Sequence, residues 1–103
     1  MENDLSLVIT ELAYEDLKGY YSYISENLSN PKAASELLKE FKDAFETIRI
    51  FPLSCPLIDN NLIKEEDLRK LIVKKFIVLY LIEDHSVKIV RIIHTSQDYI
   101  NII

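Results

Sequence analysis

Apolar residues along the first half of the chain repeat with two different periods. The run "LSLVI" (5 to 9) is short, apolar and β-branched towards its end, and Thr10 stops it, which predicts a strand. From Thr10 the period changes: Ala13, Leu17, Tyr20, Tyr21, Ile24 and Leu28 recur at three- and four-residue steps. That spacing predicts a helix with Thr10 as its N-cap and with Glu11, Glu15 and Asp16 near the positive end of its dipole. Gly19 weakens such a helix by up to about 1 kcal/mol relative to Ala, and close approach of a neighbouring helix is the expected reason for it.

The stretch "LSNPKAA" punctuates the pattern, because Asn30 suits an N-cap and Pro31 suits a first helical position that has no hydrogen bond to lose. Ala34, Leu37, Leu38, Phe41, Phe45 and Ile48 then form one apolar stripe, and Pro52 ends the helix after about five turns. The two helices are expected to pair as an antiparallel hairpin. "PLSCPLIDNNLIKEED" (52 to 67) reads as a polar loop. Three β-rich runs follow, at 68 to 74, 76 to 82 and 87 to 93, with "EDHS" short enough to turn a hairpin between the last two. In the first run Arg69, Leu71 and Val73 alternate with Lys70, Ile72 and Lys74, while the second is apolar throughout and reads as the central strand. The expected fold is α+β: an antiparallel sheet of three to four strands packed on an N-terminal helical hairpin, with one core built from Leu17, Ile24, Leu37, Phe41, Phe45, Ile48, Leu71 and Leu79.

At 103 residues, about half of them apolar, the chain fits a single globular domain, 1–103. No apolar run approaches the roughly 20 residues of a spanning helix, and the start lacks a basic segment followed by an apolar one, so a cytoplasmic protein without membrane association is expected. Cys55 has no second cysteine to pair with, which suits a reducing compartment and an inert thiol. One Cys and two His, at 85 and 94, lack metal-ligand spacing, and no phosphate-binding loop or Ser-His-Asp arrangement can be assigned, so neither metal nor cofactor is expected. Charge is unevenly spread: residues 1–67 carry net −8 and residues 68–103 net +3, for a total of −5. The total argues against sequence-blind nucleic-acid binding, which needs clustered Lys and Arg, but leaves room for a local basic face.

The order of these elements, from "TELAYEDLKGYYSYI" and "NPKAASELLKEFKDAFETIRIFP" to "RKLIVKKFIVLYLIEDHSVKIVRIIHTSQD", resembles the RelE/ParE superfamily of bacterial type II toxins over nearly the whole chain. The family pattern runs approximately Arg-x-Leu-x-Val-x-x-Tyr-x-Ile-x-Tyr and then Val-x-Ile-x-Arg-Val-x-His-x-Arg-Arg-Asp. Arg69, Leu71, Val73 and Tyr80 match the first part, and Val87, Ile89, Arg91, His94 and Asp98 the second. The long helical hairpin resembles the ParE-like branch. That resemblance implies a toxin that binds a protein target, DNA gyrase, and is neutralised by a cognate antitoxin, as a homodimer or a heterotetramer with it. The alternatives are a RelE-like, metal-independent endoribonuclease acting on mRNA at the ribosome, and an inactive relative that only binds antitoxin.

Cleavage of mRNA needs cationic groups at the scissile phosphate and an acid or base for the 2′-hydroxyl and leaving oxygen. The Tyr-Arg pair expected in the middle strand is Phe76-Ile77 here, and the Arg-Arg pair after the histidine is Ser96-Gln97, so three cationic groups are replaced. A nuclease would have to use Arg69, His94 and Tyr99 for catalysis, with Lys70 and Lys74 in support. As a binding surface the candidates are Arg69, Lys70, Lys74, Lys75, Arg91, His94 and Asp98. His94 could act as an acid or base, its ordinary pKa lying near 6.5, or fasten the last strand to Asp98. Tyr99 could offer a stacking surface or pack a short terminal helix, and Arg69 could pair with Glu65 or Glu66.

Overall fold

The computed structural model describes residues 5–58 and 67–97. In chain order it contains β1 (Ser6–Ile9), α1 (Glu11–Ser22) running into a π-helical turn (Tyr23–Asn27), α2 (Pro31–Ile50), β2 (Arg69–Val73), β3 (Phe76–Glu83) and β4 (Ser86–His94). Both expected caps form. The Thr10 hydroxyl accepts from the Ala13 N–H at 3.2 Å, and the Asn30 side-chain carbonyl accepts from the Ala33 N–H at 3.1 Å. Each satisfies a donor that the first helical turn leaves without an intrahelical partner.

The four strands lie in the order β1-β4-β3-β2. β2, β3 and β4 are antiparallel neighbours, whereas β1 lies parallel to β4, so the expected antiparallel sheet is mixed. β1 leaves into two helices and not into a tight turn, and that long connection frees it to join β4 in parallel. Asp84 and His85 turn the last hairpin with φ of 50° and 61°, the twist that a two-residue turn needs to match its strands.

β3 is covered on both faces, and its alternation divides the core in two. Phe76, Val78 and Tyr80 face the helices beside Ala13, Leu37, Phe41, Phe45 and Ile48. Ile77 and Leu79 sit on the other face with Ile93 and the partly buried Ile58. The expected single core is corrected accordingly: Leu79 belongs to the second cluster, because odd-numbered positions of β3 point away from the helices. Leu17, Ile24 and Leu71 border the helix-side core and are only partly buried. A register shift opposite Leu79 and Tyr80 leaves Val90 as an extra residue in β4, so Ile89 and Ile92, three apart, both reach the helix side. Leu38, counted in the α2 stripe by sequence, is 42% exposed, since it lies about 100° round the helix from the buried Leu37.

Gly19 is also corrected. Among the described residues a Cβ there would meet nothing within 4 Å, so neither α2 nor the sheet requires the glycine.

Candidate functional site

β1 covers the edge of β4 only as far as Ile89, and beyond that point side chains of α1 take over the pairing. The Thr10 hydroxyl donates to the Ile89 carbonyl at 2.9 Å, Asp16 Oδ2 accepts from the Ile92 N–H at 3.0 Å, and the Tyr20 hydroxyl accepts from the His94 N–H at 3.1 Å. The spacing explains the fit. Four helical residues advance about 6 Å and two strand residues about 6.6 Å, so Asp16 and Tyr20 keep step with Ile92 and His94. Asp16 also clasps Arg91 with two bonds, Nε to Oδ2 at 2.7 Å and Nη2 to Oδ1 at 2.9 Å. These bonds raise the pKa of the Arg91 guanidinium.

At the end of β4 the Tyr20 hydroxyl donates to Gln97 Oε1 at 3.1 Å, and the same oxygen accepts from the His94 N–H at 3.1 Å. The Ser96 N–H donates to His94 Nδ1 at 3.1 Å, with Ser96 Oγ 2.8 Å from that nitrogen. A backbone N–H only donates, so Nδ1 is the acceptor and the neutral ring carries its proton on Nε2. The ring stands edge-on to Phe76 at 5.3 Å, and Phe76 in turn contacts Tyr20 at 4.7 Å and Phe41 at 5.5 Å. Burial raises the Tyr20 pKa, against a smaller lowering by its bond from His94.

The sequence candidates fall into two groups. Lys74 and Lys75 form the β2–β3 turn and, with His94, line an open groove of about 970 Å³ between α1, the π-turn and α2. Lys74 pairs with Glu40 at 3.3 Å, both side chains being well exposed. Arg69 lies at the far end of β2, opposite Tyr80, whereas Phe76 at the other end of β3 lies opposite His94. The two places are about 13 Å apart along β3. Arg69 Nη1 donates to the Cys55 carbonyl at 2.6 Å, and the Tyr80 hydroxyl donates to the Pro52 carbonyl at 2.8 Å, so both secure the segment after α2. The Lys70 N–H joins them by donating to the Pro56 carbonyl at 3.1 Å. Arg91 turns its guanidinium towards Asp16. Asp98, Tyr99, Glu65 and Glu66, and with them the expected His94–Asp98 bond and the Glu partners of Arg69, lie outside the described residues.

Asp16, Tyr20, Glu40 and Gln97 were not singled out from the sequence as site residues. The legible signal was Asp16 itself, an acid three residues after Ala13 and four before Tyr20, on the apolar stripe of α1 that the sequence pattern turns inward, where a carboxylate needs a partner. Among the described residues no group of three or more His, Cys, Asp or Glu could hold a metal ion, and no helix is long and apolar enough to cross a membrane.

Residues 7–99 match the profile of the family described as ParE toxin of type II toxin-antitoxin system, parDE. A search of curated proteins finds no match. Among solved structures, a chain of the "Chromosomal ParDE TA system from P. aeruginosa" superposes with a TM-score of 0.71 at 17% sequence identity, covering 89% of this chain and 97% of that one. At that identity the likeness speaks for the fold.

Proposed function

The chain belongs to the ParE toxin family of type II toxin-antitoxin systems, and on that premise we propose that it acts in the cytoplasm by binding a protein target and is neutralised by a cognate antitoxin. The proposed target is DNA gyrase, by the resemblance of the helical hairpin and late strands to the ParE-like branch. One observation carries the preference for binding over RNA cleavage: the positions where the nuclease branch holds arginines are spent on packing and capping. Ile77 is buried on the face of the sheet away from the helices, Ser96 is bonded to the His94 ring, and Gln97 is bonded to Tyr20 and to the His94 backbone, while Phe76, at the tyrosine position, is wedged among Tyr20, Phe41 and His94. The His94 nitrogen that a base would need free already accepts from Ser96. Charge stabilisation at a scissile phosphate typically contributes a hundredfold or more per donor, and none of these side chains supplies it.

The antitoxin is proposed to fold as it binds, adding a strand or helix along the outer edge of β2, which past Lys70 has no partner strand among the described residues and where Ile72 is 54% exposed. Expression of the wild-type chain is expected to arrest growth with stalled gyrase complexes and DNA-damage signalling, and co-expression of the product of a neighbouring small reading frame to relieve it. Purified protein added to a translation extract is expected to leave mRNA intact. Mapped cleavage of ribosome-bound mRNA, lost on Arg69→Ala or His94→Ala, would instead establish the nuclease alternative.

A further inference from the structure

The two helices are attached to the sheet in different ways. α2 buries Ala34, Leu37, Phe41, Phe45 and Ile48 along one stripe, whereas of the described α1 residues Ala13 alone is buried. Leu17 and Tyr20 only border the helix-side core. Past its first turn α1 is held mainly by polar contacts: the Asp16 carboxylate on Arg91 and on the Ile92 N–H, and the Tyr20 hydroxyl on the His94 N–H. Such bonds are exchanged for bonds to water when they open, so their net hold is smaller than that of a buried apolar stripe.

Two further features loosen the same element. Gly19 lies inside the helix, where it costs stability relative to alanine, and among the described residues nothing within 4 Å of its missing Cβ gives it a packing reason. The π-helical turn Tyr23–Asn27 then interrupts the regular ladder at the far end of α1, and none of its residues is buried. The near end is anchored, because the Thr10 hydroxyl and N–H both donate to the Ile89 carbonyl, at 2.9 and 3.1 Å. We propose that α1 is a detachable strap: the segment from Glu11 to the π-turn opens as one unit between Thr10 and α2, while β1, α2 and the sheet stay folded. Closed, the strap covers the β4 edge beyond Ile89, where β1 stops. Opening releases Arg91 from Asp16 and uncovers the Ile92 N–H, so that stretch of strand edge is accessible only in the open state. The strap works in this way whichever protein the chain binds.

Native-state hydrogen exchange of the full chain, read by amide NMR over a series of urea concentrations below the unfolding transition, tests the strap. The Leu17, Tyr20 and Ile92 amides are expected to exchange through one opening with a shared urea dependence, at lower protection than Phe45 and Val78. Ile48→Val, at a buried α2 position, weakens the part of the fold that stays closed when the strap opens. It is expected to speed exchange at Phe45 and Val78 about fivefold and to leave Leu17, Tyr20 and Ile92 unchanged. Gly19→Ala is expected to slow Leu17, Tyr20 and Ile92 together by about fourfold, although no described atom of β4 lies within 4 Å of the added methyl group. Equal acceleration of both sets of amides in Ile48→Val would mean that α1 leaves only when the whole domain unfolds, and would overturn the proposal. Exchange of the α1 amides without urea dependence, which is fraying, would overturn it as well. So would an Ile92 amide that does not respond to Gly19→Ala, since the strap would then not guard the β4 edge.

Discussion

Asp16 holds Arg91 with two charge-assisted bonds while its Oδ2 also accepts the Ile92 N–H, so one carboxylate ties α1 to β4 through side chain and backbone together. The pair is mostly buried, with 20% of the arginine and 14% of the aspartate side chain exposed. Removing one member leaves the other charge without its partner, which costs more than the pair itself contributes. Asp16→Ala is expected to lower unfolding stability by about 2 to 3 kcal/mol in urea melts, and Asp16→Ala with Arg91→Ala to cost less than the two changes summed. Strict additivity would show that the two side chains do not depend on each other.

The turn at Asp84 and His85 places two ordinary L-residues at φ of 50° and 61°. A side chain in this region is disfavoured by about 1 kcal/mol or more, and glycine is not. The His85 side chain is exposed and makes no hydrogen bond or ion pair among the described residues. His85→Gly is therefore expected to stabilise the hairpin by up to about 1 kcal/mol, with Asp84→Asn compatible beside it. A loss of stability on thermal melting would mean that the turn conformation is assigned wrongly.

The local rules were legible because they act within a few residues. Thr10, Asn30 and Pro31 declare helix starts by chemistry that needs no tertiary context, and the two periods separate helices from strands. Three features were not legible, each for a long-range reason. The place of Leu79 on the second face depends on which parity of β3 meets the helices, and the bulge at Val90 that brings Ile89 and Ile92 to one side has no signature in "KIVRII". Gly19 was given a packing reason that needed a neighbour, and none is there among the described residues. At the site, the basic residues 69, 70, 74, 75 and 91 were grouped as one candidate surface, yet the register sends Arg69 and Lys70 to one end of β2 and Lys74 and Lys75 to the turn at the other, while Arg91, opposite Leu79, turns to Asp16 of α1. The acids that organise the groove come from helices 30 to 80 positions away in the chain, and pairings of that range are invisible to a reading along it.

Tyr80 is wholly buried and its hydroxyl donates to the Pro52 carbonyl at 2.8 Å. Burial raises its pKa well above the ordinary value of 10.0, and the adjacent Cys55 adds to the rise. A phenol whose folded pKa exceeds its unfolded one contributes stability that is complete below the unfolded value and is lost as pH climbs through and above it. Stability is expected to hold to about pH 9 and to fall above about pH 10, where the unfolded chain sheds a proton that the folded one keeps. Tyr80→Phe should cost about 1 kcal/mol near neutrality, for the lost hydrogen bond, and should flatten the alkaline fall. Urea melts across that range check it, and an unchanged slope in the variant would assign the alkaline loss to other groups such as Tyr20.

Arg69 is the matching arginine of the family pattern, and the geometry gives it a local duty that has to be separated from any contact with a target. Its Nη1 donates to the Cys55 carbonyl at 2.6 Å, beside the Ile58 N–H bonded to the Leu68 carbonyl at 2.8 Å and the Lys70 N–H bonded to the Pro56 carbonyl at 3.1 Å. The guanidinium thus supports a short bridge that holds residues 55–58 along β2. Losing a charged donor to a part-buried carbonyl costs about 1.5 to 3 kcal/mol, most of it felt in that bridge. Arg69→Ala is expected to speed hydrogen exchange at the Ile58 and Lys70 amides while leaving Ile92 and His94, which α1 secures, at wild-type protection. Lys75→Ala, at the exposed turn, should leave all four amides unchanged. If Arg69→Ala abolishes growth arrest with these amides still protected, the arginine contacts the target directly, and the supporting role argued here is wrong.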